Sequence, residues 1–474
     1  MAGVVALGAS CAGRVAAPAK AVPRVVAPAS VAAPPWLREV EAEVATLRGL
    51  PFLRGVPYAR ESRADFRAYV RADIARDLGP EKAADESRAL ATLGFVPDGF
   101  DLRAAMEDAA VTEVAAYYDT DRRDFRVLDR SDGAAAGTDD VGDRGVVAHE
   151  LTHALQDQHF GLEAFGGERP VDLGLDDDEK LARRCVVEGE ATFVMFAEML
   201  GAGRGAAISL GPFAVAGARM ALDALAAADV LDLFGVMREG TTDLDGESRR
   251  ELEAVEKQPP WVTLPMIEPY FKGAALVSRV WGRGGWAAVD HLYRQPPRST
   301  EEVLHPEKLL DATDAPVRVR MLAEPPPLPR GPGTRLLETN VLGELGWRIY
   351  FKTWKLAAGD AAAAGWGGDR YWVWDRAGRA VAAIATTWDS EADAAEFASA
   401  YEETLASRFP RAIAGADAAA PDAVTIRAPA GRTIVVERHE RDVDVVDGAD
   451  DAERASLRRA LRAAERRSAA EGGP

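Results

Sequence analysis

Between Glu324 and Arg335 the chain reads EPPPLPRGPGTR, five prolines and two glycines in twelve residues. Proline removes a backbone donor and fixes φ, and glycine takes up turn conformations freely, so this stretch holds neither a helix nor an interior strand. It is the best domain boundary in the sequence, and the patterns on its two sides differ. Upstream, WLREVEAEVATL and ADFRAYVRADIARDL space their apolar residues as two helices, the second stopped by Gly79-Pro80. Downstream, DRYWVWDRAGRAVAAIATTWD reads as two strands about a turn, Glu391–Arg408 as a helix, and AVTIRAP and RTIVVERHE as further strands. The expected class is α+β: a mainly helical domain with a small antiparallel β element over 36–323, a linker over 324–338, a small α+β domain over 339–447 and a charged, exposed helical tail over 448–474.

Within the helical part, EVAAYYDTDRRDFRVLDR (Glu113–Arg130) changes to β-rich residues around a polar turn and predicts a hairpin. VVAHELTHALQDQHF (Val146–Phe160) suits a buried helix, and Asp176–Glu179 would cap the long apolar helix KLARRCVVEGEATFVMFAEML. Further helices are expected between Pro212 and Met237, between Gly273 and Tyr293, and near Leu342–Trp354. Residues 1–35 form a leader-like segment and an Ala/Pro-rich tether. MAGVVALGASCAG resembles the end of a bacterial lipoprotein leader with Cys11 as the lipidated residue, although a positive n-region is missing and Gly8 stands where leucine is usual. On that resemblance the protein belongs in the cell envelope or outside it, attached to membrane only through a lipid on Cys11; an ordinary tail would leave it cytoplasmic.

The net charge of −19 repels phosphate, which excludes nucleic acid and anionic membrane surfaces as partners. Two cysteines make neither a disulfide framework nor a Cys-rich zinc module, so any metal must be held by histidine and carboxylate. Three of the chain's six histidines fall in the Val146–Phe160 segment. His149, Glu150 and His153 form HExxH: on a helix, the two imidazoles lie on one face and can chelate one zinc ion, with Glu150 placed to take a proton from metal-bound water. A third ligand could be His159, at the spacing of HExxHxxGxxH, but Gln156 stands where that pattern needs a glycine to break the helix. It could also be Glu188 or Glu190, carboxylates in the apolar turn VVEGEATF that need a cation or a donor to offset lost hydration. These two point about 200° apart, so only one can face the metal.

HELTHALQD resembles the zinc helix of the gluzincins, the thermolysin-type zinc peptidases. HELTHALQDQHF, EGEA, LHPEK and GWGGDRY together resemble an uncharacterised bacterial family of predicted metallopeptidases over about Trp36–Phe409. The resemblance implies Glu188 as the third ligand, through ExxA with Ala191. Thr192 departs from an Asp that braces a ligand histidine in several gluzincins, which leaves Asp157 or Glu190 as the brace. It further implies a zincin-like domain, Zn²⁺, a peptide or protein substrate, and a strand edge near Tyr117–Leu128 that binds extended peptide. The expected function is a zinc metalloendopeptidase with Glu150 as general base. The oxyanion donor stays open among His305, His291 and Tyr270. Two rivals are an envelope binding or assembly protein braced by structural zinc and a zinc hydrolase of non-peptide amides.

Overall fold

The computed structural model describes residues 30–110, 115–129, 144–166, 173–199, 257–311, 314–320, 333–417 and 420–468, with single positions at 220, 222 and 224. Over these the fold is α+β. Cys11 and nearly all of the Pro212–Met237 segment lie outside the described residues. Among the described residues no helix is long and apolar enough to cross a membrane.

Helix α1 (Pro35–Arg48) begins on proline and ends at Gly49, whose φ of +70° suits a residue without Cβ. Strand β1 (Tyr58–Glu61) then leads into α2 (Arg63–Asp77), capped by the Ser62 side chain, followed by α3 (Pro80–Leu93) and α4 (Leu102–Ala110). The hairpin is present as β2 (Ala116–Asp119) and β3 (Asp124–Leu128), but it is not purely antiparallel. β1, too short to show a period, adds to β3 in parallel and leaves β2 as an edge strand.

Helix α5 (Arg144–Phe160) carries HExxH and is followed by the short α6 (Leu162–Gly166). Helix α7 (Asp177–Met199) carries EGEA. Asp176 and Glu179 form a reciprocal cap at its start, the Asp176 carboxylate accepting from Glu179 N–H at 2.9 Å and the Glu179 carboxylate from Asp176 N–H at 3.1 Å. Helix α8 spans Pro260–Arg294, thirteen residues earlier in its start than expected, because Pro265 and Pro269 sit inside it and mask its period; Gly284 and Gly285 break its regularity near the end. The short helices α9 (Thr300–Leu304) and α10 (Pro306–Leu310) and strand β4 (Val317–Arg320) complete this half.

The second half is a seven-stranded antiparallel sheet: β5 (Thr334–Asn340), β6 (Trp366–Arg376), β7 (Arg379–Trp388), β8 (Ile413–Asp417), β9 (Ala420–Arg427), β10 (Thr433–His439) and β11 (Asp442–Asp447), ordered β5-β6-β7-β11-β10-β9-β8. The β6–β7 turn uses Ala377 and Gly378, both at positive φ, as a two-residue hairpin requires. Around the sheet lie α11 (Gly343–Thr353), α12 (Gly359–Ala363), α13 (Glu391–Arg408), α14 (Asp451–Arg462) and β12 (Glu465–Ser468), which pairs with β4.

Two sequence boundaries need correction. Residues 334–338, assigned to the linker, belong to β5. Over its described residues the tail is docked on the sheet: α14 buries Leu457 and Leu461 on one face, against Val381, Ala383 and Val446, and β12 ties it back to β4. The opposite face packs Ile384, Trp388 and Phe397 in one buried cluster with Phe66, Val70 and Leu90 of α2 and α3. The N-terminal helices and the C-terminal sheet thus share a core, which no local pattern displays because each strand and helix only shows that it has an apolar side.

Candidate metal centre

Helix α5 is buried along nearly its whole circumference, consistent with its apolar residues lying on every side. His149 and His153, one turn apart, both face α7, where Glu188 meets them. His149 Nε2 and His153 Nε2 lie 3.1 Å apart, and Glu188 Oε2 is 3.3 Å from the first and 3.4 Å from the second. All three residues are buried. The edge of a tetrahedron with metal–ligand bonds of 2.0–2.1 Å is about 3.3 Å, so the triangle has the dimensions of three zinc ligands. The chemistry of the donors fits as well: Glu188 Oε2 is a buried carboxylate oxygen with no hydrogen-bond partner. Burial opposes its charge, yet His153 and His149 hold the carboxyl well below its usual range. The same pairing raises His153 to about 9 against its own burial.

The close approach of α8 to this site depends on two glycines. A Cβ on Gly189 would lie 2.1 Å from the carbonyl carbon of Gly273, and one on Gly273 would lie 2.0 Å from the Cys185 carbonyl oxygen. Backbone therefore packs on backbone, and Tyr270, one turn before Gly273, stacks on His149 with ring centroids 5.5 Å apart. Burial, then the charge of Glu188, pushes the Tyr270 phenol well above its ordinary value, so it stays a proton donor. Of the other two oxyanion candidates, His305 is engaged by Glu344 at 3.0 Å, and His291 is exposed on α8.

Glu150 projects toward the hairpin. Its Oε2 accepts from Tyr118 N–H at 2.9 Å, on the outer edge of β2, and burial raises its carboxyl above the usual value despite the nearby imidazoles. His159 is turned away and bonds the Pro51 carbonyl at 2.8 Å, so the metzincin spacing is not used. Glu190 points to the opposite side of α7, where Arg48 pairs with it and Tyr293 donates to it at 2.6 Å. Arg184, one turn before Glu188, stays 3.9 Å from its other oxygen.

The side chain that holds His153 Nδ1 is neither Asp157 nor Glu190 but Gln156. Its side-chain amide donates to the Val187 carbonyl at 3.0 Å, which turns its oxygen toward His153 Nδ1 at 2.9 Å. That oxygen needs a donor, so Nδ1 carries the proton and Nε2 keeps its lone pair for a metal. Asp157 instead accepts from the Tyr118 hydroxyl at 3.0 Å. A cavity of about 230 Å³ opens beside His153, Glu188 and Tyr118 and continues between α7 and α11.

The other distinctive stretches are structural. In GWGGDRY, Asp369 accepts from the N–H groups of Leu342 and Gly343 and from the indoles of Trp347 and Trp366, at 2.8–3.1 Å. In LHPEK, the Lys308 ammonium sits among Glu301, Asp314 and Asp389 at 2.6–2.9 Å, occupying the centre of a carboxylate trio that could otherwise take a metal.

A family model described as a domain of unknown function (DUF8575) matches residues 334–458, which span the seven-stranded sheet and most of α14 but none of the metal-site residues. No curated protein and no solved structure matches the chain.

Proposed function

We propose that this chain is a zinc-dependent metallopeptidase in which His149, His153 and Glu188 hold the ion and Glu150 moves the proton. The observation that carries the reading is the triangle of donor atoms, 3.1–3.4 Å on each edge and buried, with one carboxylate oxygen otherwise unpartnered. Among the described residues three protein donors converge there, which matches a catalytic zinc with an open position and not a closed structural site. Zinc, when bound, supplies Lewis acidity and lowers the pKa of a bound water toward about 7.

The chain's own residues do the rest. Glu150 is anchored through one oxygen by Tyr118 N–H, and its raised carboxyl is suited to accept a proton and return it to the leaving amine. Tyr270 keeps its phenolic proton beside the site and is the donor placed to stabilise a developing oxyanion. The β2 edge and the cavity next to it suit an extended peptide bound by its backbone. Glu150→Gln in the full chain should retain about one zinc by elemental analysis and lose peptide hydrolysis; cleavage that survives the substitution would sink this assignment.

A further inference from the structure

The cavity beside the metal ligands follows one face of α7. Asp177, Leu181, Arg184 and Glu188, at alternating helical spacings of four and three, all line it, with Glu86 of α3 at its far, acidic end. Several of its charged side chains are already engaged by the protein: Asp178 accepts from Thr300, Arg183 donates to the Phe165 carbonyl at 2.8 Å, Lys180 lies 4.0 Å from Asp177, and Arg184 lies 3.9 Å from Glu188. The rest of the wall is largely apolar. Leu181 and Val187 of α7, Met266 of α8 and Val341 just before α11 are only half-buried, although each lines the cavity. Apolar side chains left unpacked around a cavity that opens on a metal centre form a surface for an apolar group.

Gly346 of α11 borders this space. It sits inside the helix without a positive φ, where glycine destabilises the helix relative to alanine. Unlike Gly189 and Gly273, it is not held there by a backbone collision. The nearest atoms to a Cβ built on it belong to side chains, Leu342 Cβ at 3.1 Å and the Trp261 ring at 3.7 Å, and both residues line the cavity. What the missing side chain provides is room between α11 and the start of α8. Leu181, Trp261, Met266 and Ile349 gather around that room in one apolar cluster. Leu181 is seven residues before Glu188, about 10 Å along α7, or about three residues of extended chain.

We propose that α11 sets the specificity of the metal centre: Gly346 holds open an apolar pocket, bounded by Leu181, Met266 and Ile349, for a bulky aliphatic or aromatic side chain of the substrate within about three residues of the bond that is cut. This rests on the peptidase reading, and it gives the C-terminal domain a part in that reaction. The test is a positional scan in which one phenylalanine or one leucine is moved through an alanine–serine dodecapeptide, with zinc-loaded wild type, Gly346→Ala and Met266→Ala in the full chain.

The expected result is a preference for phenylalanine or leucine over alanine of about tenfold or more in kcat/KM at one position within that reach. Gly346→Ala narrows the pocket and should cut the phenylalanine-to-alanine ratio by about fivefold or more, with zinc content retained. Met266→Ala widens it and should raise the phenylalanine-to-leucine ratio, which serves if the first variant misfolds. A wild type that cleaves without such a preference, or ratios that neither variant moves, would overturn the pocket and leave the peptidase reading standing. If no peptide is cleaved by the wild type, the peptidase reading falls and the pocket with it.

Discussion

Glu188 and Asp369 are both buried carboxylates with a glycine as chain neighbour, Gly189 and Gly368, and the protein treats them in opposite ways. Asp369 receives four protein donors, two backbone N–H groups at the start of α11 and two indoles. Glu188 keeps one oxygen without a hydrogen-bond partner and directs it at two imidazole nitrogens. The first arrangement compensates lost hydration with four hydrogen-bond donors and is complete as it stands; the second is offset by the two imidazoles alone and leaves that oxygen without a hydrogen-bond donor. Donor accounting therefore separates a structural acid from a candidate metal ligand where composition and burial do not.

Three substitutions would break or sharpen that contrast. The largest effect is expected from Gly189→Ala, because its Cβ would meet Gly273 backbone at 2.1 Å and α8 would have to move. Overpacking of this kind should cost about 3 kcal/mol or more in urea unfolding and should release zinc as well. Asp369→Ala leaves four donors unsatisfied and should cost about 3 kcal/mol, while the fraction that folds still binds zinc. Glu188→Gln should do the reverse, costing less than Asp369→Ala in the metal-free form because the amide oxygen can still accept from the imidazoles, and abolishing zinc binding. Equal stability losses in these two would erase the distinction.

Smaller effects follow from supporting groups. Gln156→Ala removes the partner of His153 Nδ1 and should weaken zinc binding about 10- to 100-fold in a chelator competition, with the fold retained. At the acidic end of the cavity, Glu86 is raised to about 8 from 4.5, so the folded state holds the extra proton between those values. Stability should then fall as pH rises through that window, by up to about 1.4 kcal/mol per pH unit from this group. Glu86→Gln should flatten the decline in Tm between pH 5 and pH 8; an unchanged slope would show that Glu86 is not the group responsible.

The sequence makes the candidate metal site legible where chemistry depends on local spacing. His149 and His153 are four apart on a helix, and their shared face follows from 3.6 residues per turn. Glu188 and Glu190 lie on opposite helix faces, and only the resemblance to ExxA points to Glu188. In the structure Arg48 takes Glu190, and no local pattern marks that partner. Gln156 did leave a signal, three residues after His153 on one helix, but its role also needs the Val187 carbonyl from α7. Tyr270 could not be separated from His305 and His291 without knowing that Gly189 and Gly273 bring α7 and α8 together. The α+β class and most downstream strands show in residue pattern, whereas β1, the start of α8 and the core shared by α2, α3 and the sheet depend on contacts between distant segments.

The most direct test is zinc content per chain, by elemental analysis of the purified full chain beside Glu188→Gln and Glu190→Gln. About one zinc in the wild type and in whatever Glu190→Gln protein folds, with none in Glu188→Gln, is the predicted result. Zinc that persists without Glu188, or a wild type that takes up none, would contradict the assignment of His149, His153 and Glu188 as its ligands.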